Sequence, residues 1–319
     1  MEINGLALLV IIPVLIGIVN LVLPNLLKKI LNLAGIVYLL YLAFSLFIQY
    51  NNGTALEFNL FGNLIFRLDI LTLFTIIFIE ILSLLIYIFS LKGVTKNIEK
   101  YFHVLYPLTV GACNGAVISV NSISLLIFWG ASGILLYLFA MLGSEDSTSD
   151  TARKTLIIVG GSDALLVLGL VLLRFLGNSG NWLFLNTNLA LSNGVTYIAF
   201  FSVLIAAFAK AGGFPFHTWV PDFSRDSIVE GAAFLPASLD KLLGIYLLAR
   251  MVLTMFVLTT FIHMIVITLG ALTVITAVMM AMVQHNGRKL LGYHAVSQVG
   301  YMIMGVACGG MLAADGQIM

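Results

Sequence analysis

Charge is what this sequence has least of. Only 9% of its 319 residues are Asp, Glu, Lys or Arg, against about 25% in a typical soluble domain. A soluble fold of this length needs a charged shell, and the residues to build one are missing. The charges that are present nearly cancel, 15 basic against 14 acidic, for a formal net charge of +1. That balance excludes a polybasic nucleic-acid binder and an acidic disordered tail. Cysteine is equally scarce: Cys113 and Cys308 both fall in apolar stretches and are expected to be buried. Two thiols give neither a disulfide framework nor a zinc or iron–sulfur site, which needs about four ligands. The five histidines are scattered, with no HExxH-type spacing. No Gly-rich phosphate loop follows a strand pattern. No metal, no cofactor and no catalytic residue set is therefore expected. No small-residue cleavage site follows the apolar run over residues 1–24, so a cleaved signal peptide is not expected.

What is present is apolar: 61% of the residues are hydrophobic. The expected fold class is an all-α polytopic membrane protein, with lipid as its solvent. A membrane helix needs about 20 mostly apolar residues. Ten such spans can be drawn, at roughly 4–23, 31–50, 69–91, 103–120, 122–143, 155–176, 195–216, 231–253, 260–283 and 291–310. A tight polar turn at Asn121 separates the fourth from the fifth. The longest loops, 51–67 and 177–194, are Asn/Gly-rich with isolated apolar residues.

Basic residues sort strongly between the two sides. Lys28, Lys29, Lys92, Lys96, Lys100, Arg153, Lys154, Arg225, Arg288 and Lys289 fall in alternate loops, while Arg67, Arg174 and Arg250 fall on the opposite side. The positive-inside rule then places both ends of the chain on the non-cytoplasmic face of a cell (inner) membrane. The two remaining cations, Lys210 and Lys241, lie inside spans.

Charges within spans are costly, about 2.5–3.5 kcal/mol each at a helix centre on insertion scales, and commonly mark a pathway. Glu80 in the third span, Asp163 in the sixth, Lys210 in the seventh and the Asp240-Lys241 pair in the eighth are the candidates. A structural ion pair that only fixes packing is the competing explanation. Asp69, beside Arg67 at a span edge, reads as an interfacial anchor.

The seventh span carries the strongest local signal, Ala209-Lys210-Ala211-Gly212-Gly213-Phe214-Pro215-Phe216-His217-Thr218-Trp219-Val220-Pro221-Asp222. Pro215 has no N–H, so the Ala211 carbonyl loses its helical partner. Gly212 and Gly213 make unwinding inexpensive. Freed backbone groups at membrane depth must line a polar cavity or be buried in protein. Lys210 lies at the expected break, spanning Ala209 to Pro215. Burial disfavours a charged amine and a nearby carboxylate favours it, so a moving partner loads and unloads a proton. In the eighth span Pro236 frees the Ala232 carbonyl, and Asp240-Lys241 follow a turn later, facing different partners.

The stretches 209–222 and 230–250 resemble the antiporter-like proton-conducting subunits of respiratory complex I, Mrp-type cation/proton antiporters and membrane-bound energy-converting hydrogenases. Phe66-Arg67-Leu68-Asp69, Phe128-Trp129, Ala152-Arg153-Lys154 with Ser162-Asp163, and 284–304 match the same family in collinear order. The resemblance implies a fold with two inverted five-helix repeats, each with a broken helix. It divides the chain into 1–101 (three leading helices), 102–253 (the first repeat) and 254–319 (the start of an incomplete second repeat). It also implies that Lys210 is the central lysine of the first half-channel and that Lys241 links the half-channels. His217 is carried in the same motif.

One departure concerns the family's glutamate after the Phe-Trp of the fifth helix, which pairs with the broken-helix lysine. Gly130 stands there instead. Asp163 is the first expected replacement, with Glu80 in reserve and Asp240 a further possibility. The resemblance implies an ion-translocating subunit, moving protons or exchanging sodium for protons, in a redox-driven complex. Soluble redox subunits, lipid and other membrane subunits would be its partners, one of them covering the last two helices, where His294, Ser297 and Gln298 would otherwise meet lipid. A multisubunit antiporter without a redox partner and a non-conducting structural module are the alternatives.

Overall fold

The computed structural model describes residues 5–60, 62–143, 146–177 and 182–314. Residues 178–181, within the expected loop 177–194, lie outside them, as do the chain ends. The backbone is overwhelmingly helical and forms two compact units. The first contains the described residues up to 143 together with Ser227–Phe234; the second contains the rest.

In the first unit, α1 (Gly5–Val19), α2 (Asn25–Asn51), α3 (Ile70–Gly93), α4 (Lys96–Ile118) and α5 (Ser122–Ala140) form antiparallel neighbours. The short α9 (Val229–Phe234) joins them against α3. Polar side chains set the helix starts. Asp69 caps α3 by accepting from the Thr72 N–H at 2.9 Å, so the expected interfacial anchor is an N-cap. Asn121 caps α5, accepting from the Ile123 N–H at 2.9 Å, which makes the expected tight turn. Tyr106 stacks on Phe234 with ring centroids 3.9 Å apart, tying α9 to α4.

The loop expected over 51–67 is partly a hairpin. Strands β1 (Glu57–Leu60) and β2 (Asn63–Arg67) pair antiparallel, with Phe58 stacked on Phe66. The spaced apolar residues Phe58, Leu64 and Phe66 are strand residues with side chains to pair, which an Asn/Gly-rich composition obscures.

The second unit contains α6 (Thr148–Leu176), α7 (Gly194–Ala211), α8 (Trp219–Asp226), α10 (Asp240–Arg250), α11 (Thr260–Met282) and α12 (Gly287–Ala314). A widened π-type turn at Leu156–Gly160 interrupts α6, and others at Leu235–Leu239 and Met251–Met255 flank α10. Such turns absorb one extra residue and sit often at functional sites. The first of those flanking turns contains Pro236, the proline expected to loosen this helix. A capping box at Asn193 and Thr196 opens α7. Strands β3 (Leu189–Ala190) and β4 (Phe256–Val257) form one small parallel pairing.

Eight of the described helical segments are long and apolar enough to cross a membrane, by length and composition. Gly5–Val19 is apolar but short. The helix α4 is less apolar because it contains His103, Pro107 and Asn114. Large apolar side chains such as Val22, Phe175 and Met282 stand exposed, as a lipid-facing surface requires. Cys113 is buried but Cys308 is exposed, so the expectation of two buried thiols holds for only one. In α12, Ser297 is buried while His294 and Gln298 are exposed.

Candidate functional site

The site is the end of α7 and the turn that follows. Helix geometry ends at Ala211, and Gly212 adopts φ +81°. A side chain there would be strained in the left-handed region and would meet Val220 Cγ2 at 2.6 Å. The N–H groups of Gly212 and Gly213 both reach the Phe208 carbonyl, at 2.9 and 2.8 Å. The chain then passes through a cis Phe214–Pro215 bond and a single tight turn, Phe216–Thr218, before α8 resumes. Helix α7 therefore continues to Ala211, and the break occupies Gly212–Pro215 rather than starting at Ala209.

The broken backbone is bonded from outside its own helix. Because the Gly213 N–H turns back to Phe208, the Ala209 carbonyl has no i+4 donor; the Trp219 indole Nε1 donates to it at 2.9 Å. The Phe214 N–H donates to Thr273 Oγ1 of α11 at 3.1 Å. Buried backbone groups are nearly always paired, and these two side chains do the pairing here.

Lys210 sits at the end of α7 with no exposed surface, and its Nζ lies 3.1 Å from Asp240 Oδ1. Asp240 is equally buried, in the first turn of α10. The two helices touch because Gly244, one turn beyond Asp240, has no side chain. A Cβ at Gly244 would stand 2.5 Å from the Ala211 nitrogen and 2.6 Å from the Ala207 oxygen. Of the three carboxylates expected as replacements, Asp240 therefore pairs with Lys210. Asp163 is half-buried in α6. Glu80, the reserve, lies in the first unit and accepts from Asn114 Nδ2 at 2.6 Å. A helix separated from α7 by the 28 residues 212–239 brings the carboxylate, and sequence distance does not reveal which face of α10 meets the lysine. Lys241 is half-buried on the next position of α10, about 100° around the axis.

His217 is buried in the tight turn and lies beside Phe214, ring centroids 5.7 Å apart. Neither of its ring nitrogens has a hydrogen-bond partner among the described residues. At position 130 an added Cβ would meet nothing within 4 Å, so the missing side chain leaves open space.

A charged cluster at the end of α8 joins three of the quoted motif segments. Asp222 accepts from Lys154 Nζ at 2.7 Å and pairs with Lys289 Nζ at 3.3 Å. Asp226 accepts from Thr151 Oγ1 and from Arg225 Nε, each at 2.5 Å. The sequence reading placed these basic residues in loops and did not see that they converge on Asp222. The roles of Trp219 and Thr273 were also missed; a polar side chain opposite a broken helix was the available signal.

An apolar helical membrane fold with a helix broken beside a buried lysine fits the antiporter-like class of membrane subunit. Residues 119–319 match the family model described as NADH:quinone oxidoreductase/Mrp antiporter, TM, and the chain belongs to that family. Among curated relatives, NAD(P)H-quinone oxidoreductase subunit 5, chloroplastic, of Anthoceros angustus is 29% identical over 275 residues, 81% of this chain and 36% of the relative. The chain thus spans little more than a third of that relative's length. Two solved structures share the fold. The membrane-bound sulfane sulfur reductase, an archaeal respiratory membrane complex, matches with a TM-score of 0.84 and 19% identity over 95% of this chain and 64% of its own. The Mrp complex from Dietzia sp. DQ12-45-1b matches with a TM-score of 0.84 and 20% identity over 96% of this chain and 59% of its own.

Proposed function

We propose that this multi-pass membrane protein is an ion-translocating subunit of a redox-driven respiratory complex, and that Lys210 and Asp240 carry the moving charge. The observation that carries the reading is the ion pair itself, fully buried at the one place where α7 is broken. A pair 3.1 Å apart passes a proton or separates with little movement, and the unwound turn supplies the freedom to move. His217, buried in that turn, is the next group along the path. Asp163 and Lys241 extend it on α6 and α10, and Lys241 hands charge towards the second repeat. The breaks around Gly212, Gly213, Pro215 and Pro236 are its hinges.

The chain brings no redox group of its own in this reading. Soluble redox subunits drive it, and other membrane subunits and lipid surround it in the cell (inner) membrane, with both termini outward. The exposed apolar faces of α11 and α12, with Phe261, Ile275, Met279 and Leu291, are where membrane-embedded protein or lipid packs. The equal fold similarity to an Mrp complex favours one alternative, an antiporter subunit without redox partners. Purification of the tagged chain with its native partners separates the two. Copurifying soluble redox subunits, and acidification of vesicles on adding an electron donor, are the expected result. Transport driven only by an imposed cation gradient, with no soluble subunit bound, would overturn the redox-driven reading.

A further inference from the structure

We propose that α3 and α4 carry a second proton path, built from residues outside the Lys210–Asp240 site, leading from Glu99 at a lysine-rich helix end to the buried carboxyl of Glu80. On α3, Glu80, Ser83, Tyr87 and Ser90 fall at helical spacing on one face, and each is 1% exposed or less. On the adjoining helix α4, Glu99, His103, Tyr106 and Asn114 form the facing stripe. Three cross-helix bonds connect the two. Tyr87 Oη lies 3.0 Å from His103 Nδ1. Tyr106 Oη donates to the Ser83 carbonyl at 2.6 Å. Asn114 Nδ2 donates to Glu80 Oε1 at 2.6 Å.

Two helix-interior prolines make this region polar by design of the backbone. Pro107 removes the N–H that would bond the His103 carbonyl, and Asn20 and Asn32 both donate to that oxygen at 2.9 Å. Pro13 does the same to the Leu9 carbonyl, which accepts from Asn114 Nδ2 at 3.0 Å. The same amide that supports the broken backbone therefore also holds Glu80.

A purely structural network would use every buried polar group, because each one left unpaired is costly. Here Glu80 Oε2, Ser83 Oγ, His103 Nε2 and Asn114 Oδ1 have no hydrogen-bond partner among the described residues. These are atoms a proton uses in transit. Glu99, a carboxylate beside Lys29, first takes up a proton from water at the helix end and passes it to His103 Nε2, 3.8 Å away. The Nδ1 side passes one to Tyr87 Oη as the phenol releases its own towards Ser83. Ser83 relays it to Glu80 Oε2, with bridging water where hydroxyls do not touch. One proton leaves Glu99 and one reaches Glu80, while His103 exchanges its Nδ1–H for an Nε2–H and returns to the starting tautomer before the next transfer.

The groups facing the entry are Lys29, which pairs with Glu99, and Asn25, which donates to it at 3.1 Å, with the buried Lys28 and Lys100 nearby. Around Glu80 the facing groups are Asn114 and Tyr106, neither of them charged. Glu80 and Asn114 supply too few oxygens for a desolvated metal cation, which takes about six. A proton is the ion that fits.

The test uses the purified complex in proteoliposomes and infrared difference spectroscopy after a pH jump on the Glu99 side. A protonated-carboxyl band should appear in the wild type and vanish in Glu80→Gln, which keeps the acceptor for Asn114. Tyr87→Phe, which removes only a hydroxyl, should slow the band's appearance by about a hundredfold, the low end for a positioned proton relay. Lys210→Ala should leave band and rate unchanged, so failure of the Lys210 reading stays distinguishable. If Glu80→Gln does not fold, Tyr87→Phe still reads the path with Glu80 intact. A band unchanged in Glu80→Gln, or a rate unchanged in Tyr87→Phe, would overturn the proposal.

Discussion

Replacing Asp240 by Asn removes one charge of the buried pair while preserving the shape of the side chain. At 3.1 Å and an effective dielectric of about 20, the lost attraction is roughly 5 kcal/mol. Neither side chain reaches solvent, so water does not screen the charge that remains. Breaking one partner of a buried pair typically costs about 3–5 kcal/mol, while replacing both by apolar residues is near neutral. Asp240→Asn should therefore melt earlier by about 10 °C, taking roughly 2–4 °C per kcal/mol for a body of this size. Lys210→Met should do less harm, since it leaves a carboxyl that can be neutralised by a proton. The double variant Lys210→Met/Asp240→Leu should recover most of the wild-type stability while transporting nothing. Thermal unfolding of the detergent-solubilised complex, followed by a dye that reads exposed thiols or apolar surface, measures all four. If the double variant is as unstable as Asp240→Asn alone, the pair is not an isolated electrostatic unit and the reasoning fails.

Trp219→Phe keeps the ring but removes the indole donor to the Ala209 carbonyl, and should cost about 1–3 kcal/mol; an unchanged melting temperature would show that another group bonds that oxygen. Gly244→Val drives a side chain into the backbone of α7 and should destabilise by about 1–3 kcal/mol or more while moving Asp240 away from Lys210; transport falling with stability unchanged, or neither changing, would contradict the close-contact account. Asp222→Asn releases Lys154 and Lys289 but leaves them partly solvated, so the loss should be within about 1 kcal/mol and shrink in high salt; a large salt-independent loss would mean the cluster is a buried strut.

The break in α7 was legible because its causes are local. Two glycines and a proline after Lys210 forbid a regular helix whatever surrounds them. The spans were legible for the same reason, since about 20 apolar residues in a row have few other destinations. The partner of Lys210 was legible only as one of three carboxylates, with Asp240 ranked behind Asp163. Choosing Asp163 rested on counting turns from the membrane edge, which fixes depth but not the angle around the helix. Gly244, four residues after Asp240, was the available hint, because a small residue one turn beyond a buried charge marks where another backbone comes close. The polar face of α3 was also present in the spacing 80, 83, 87, 90, but only Glu80 was weighed, because serine and tyrosine carry no insertion penalty large enough to attract notice. Strands β1 and β2 were hidden by loop-like composition, and the further bridge from Phe66 to Ser119 is a contact no local pattern contains.

Proton uptake into vesicles by the intact complex, wild type against Lys210→Ala, tests the central claim most directly. The account predicts that electron-donor-driven uptake is abolished or cut at least several-fold while the complex stays assembled and its electron-transfer activity persists or falls only through lost coupling. Uptake per electron unchanged in the assembled Lys210→Ala complex would contradict it, and would leave the buried Lys210–Asp240 pair as a packing element in a subunit that moves no ions through α7.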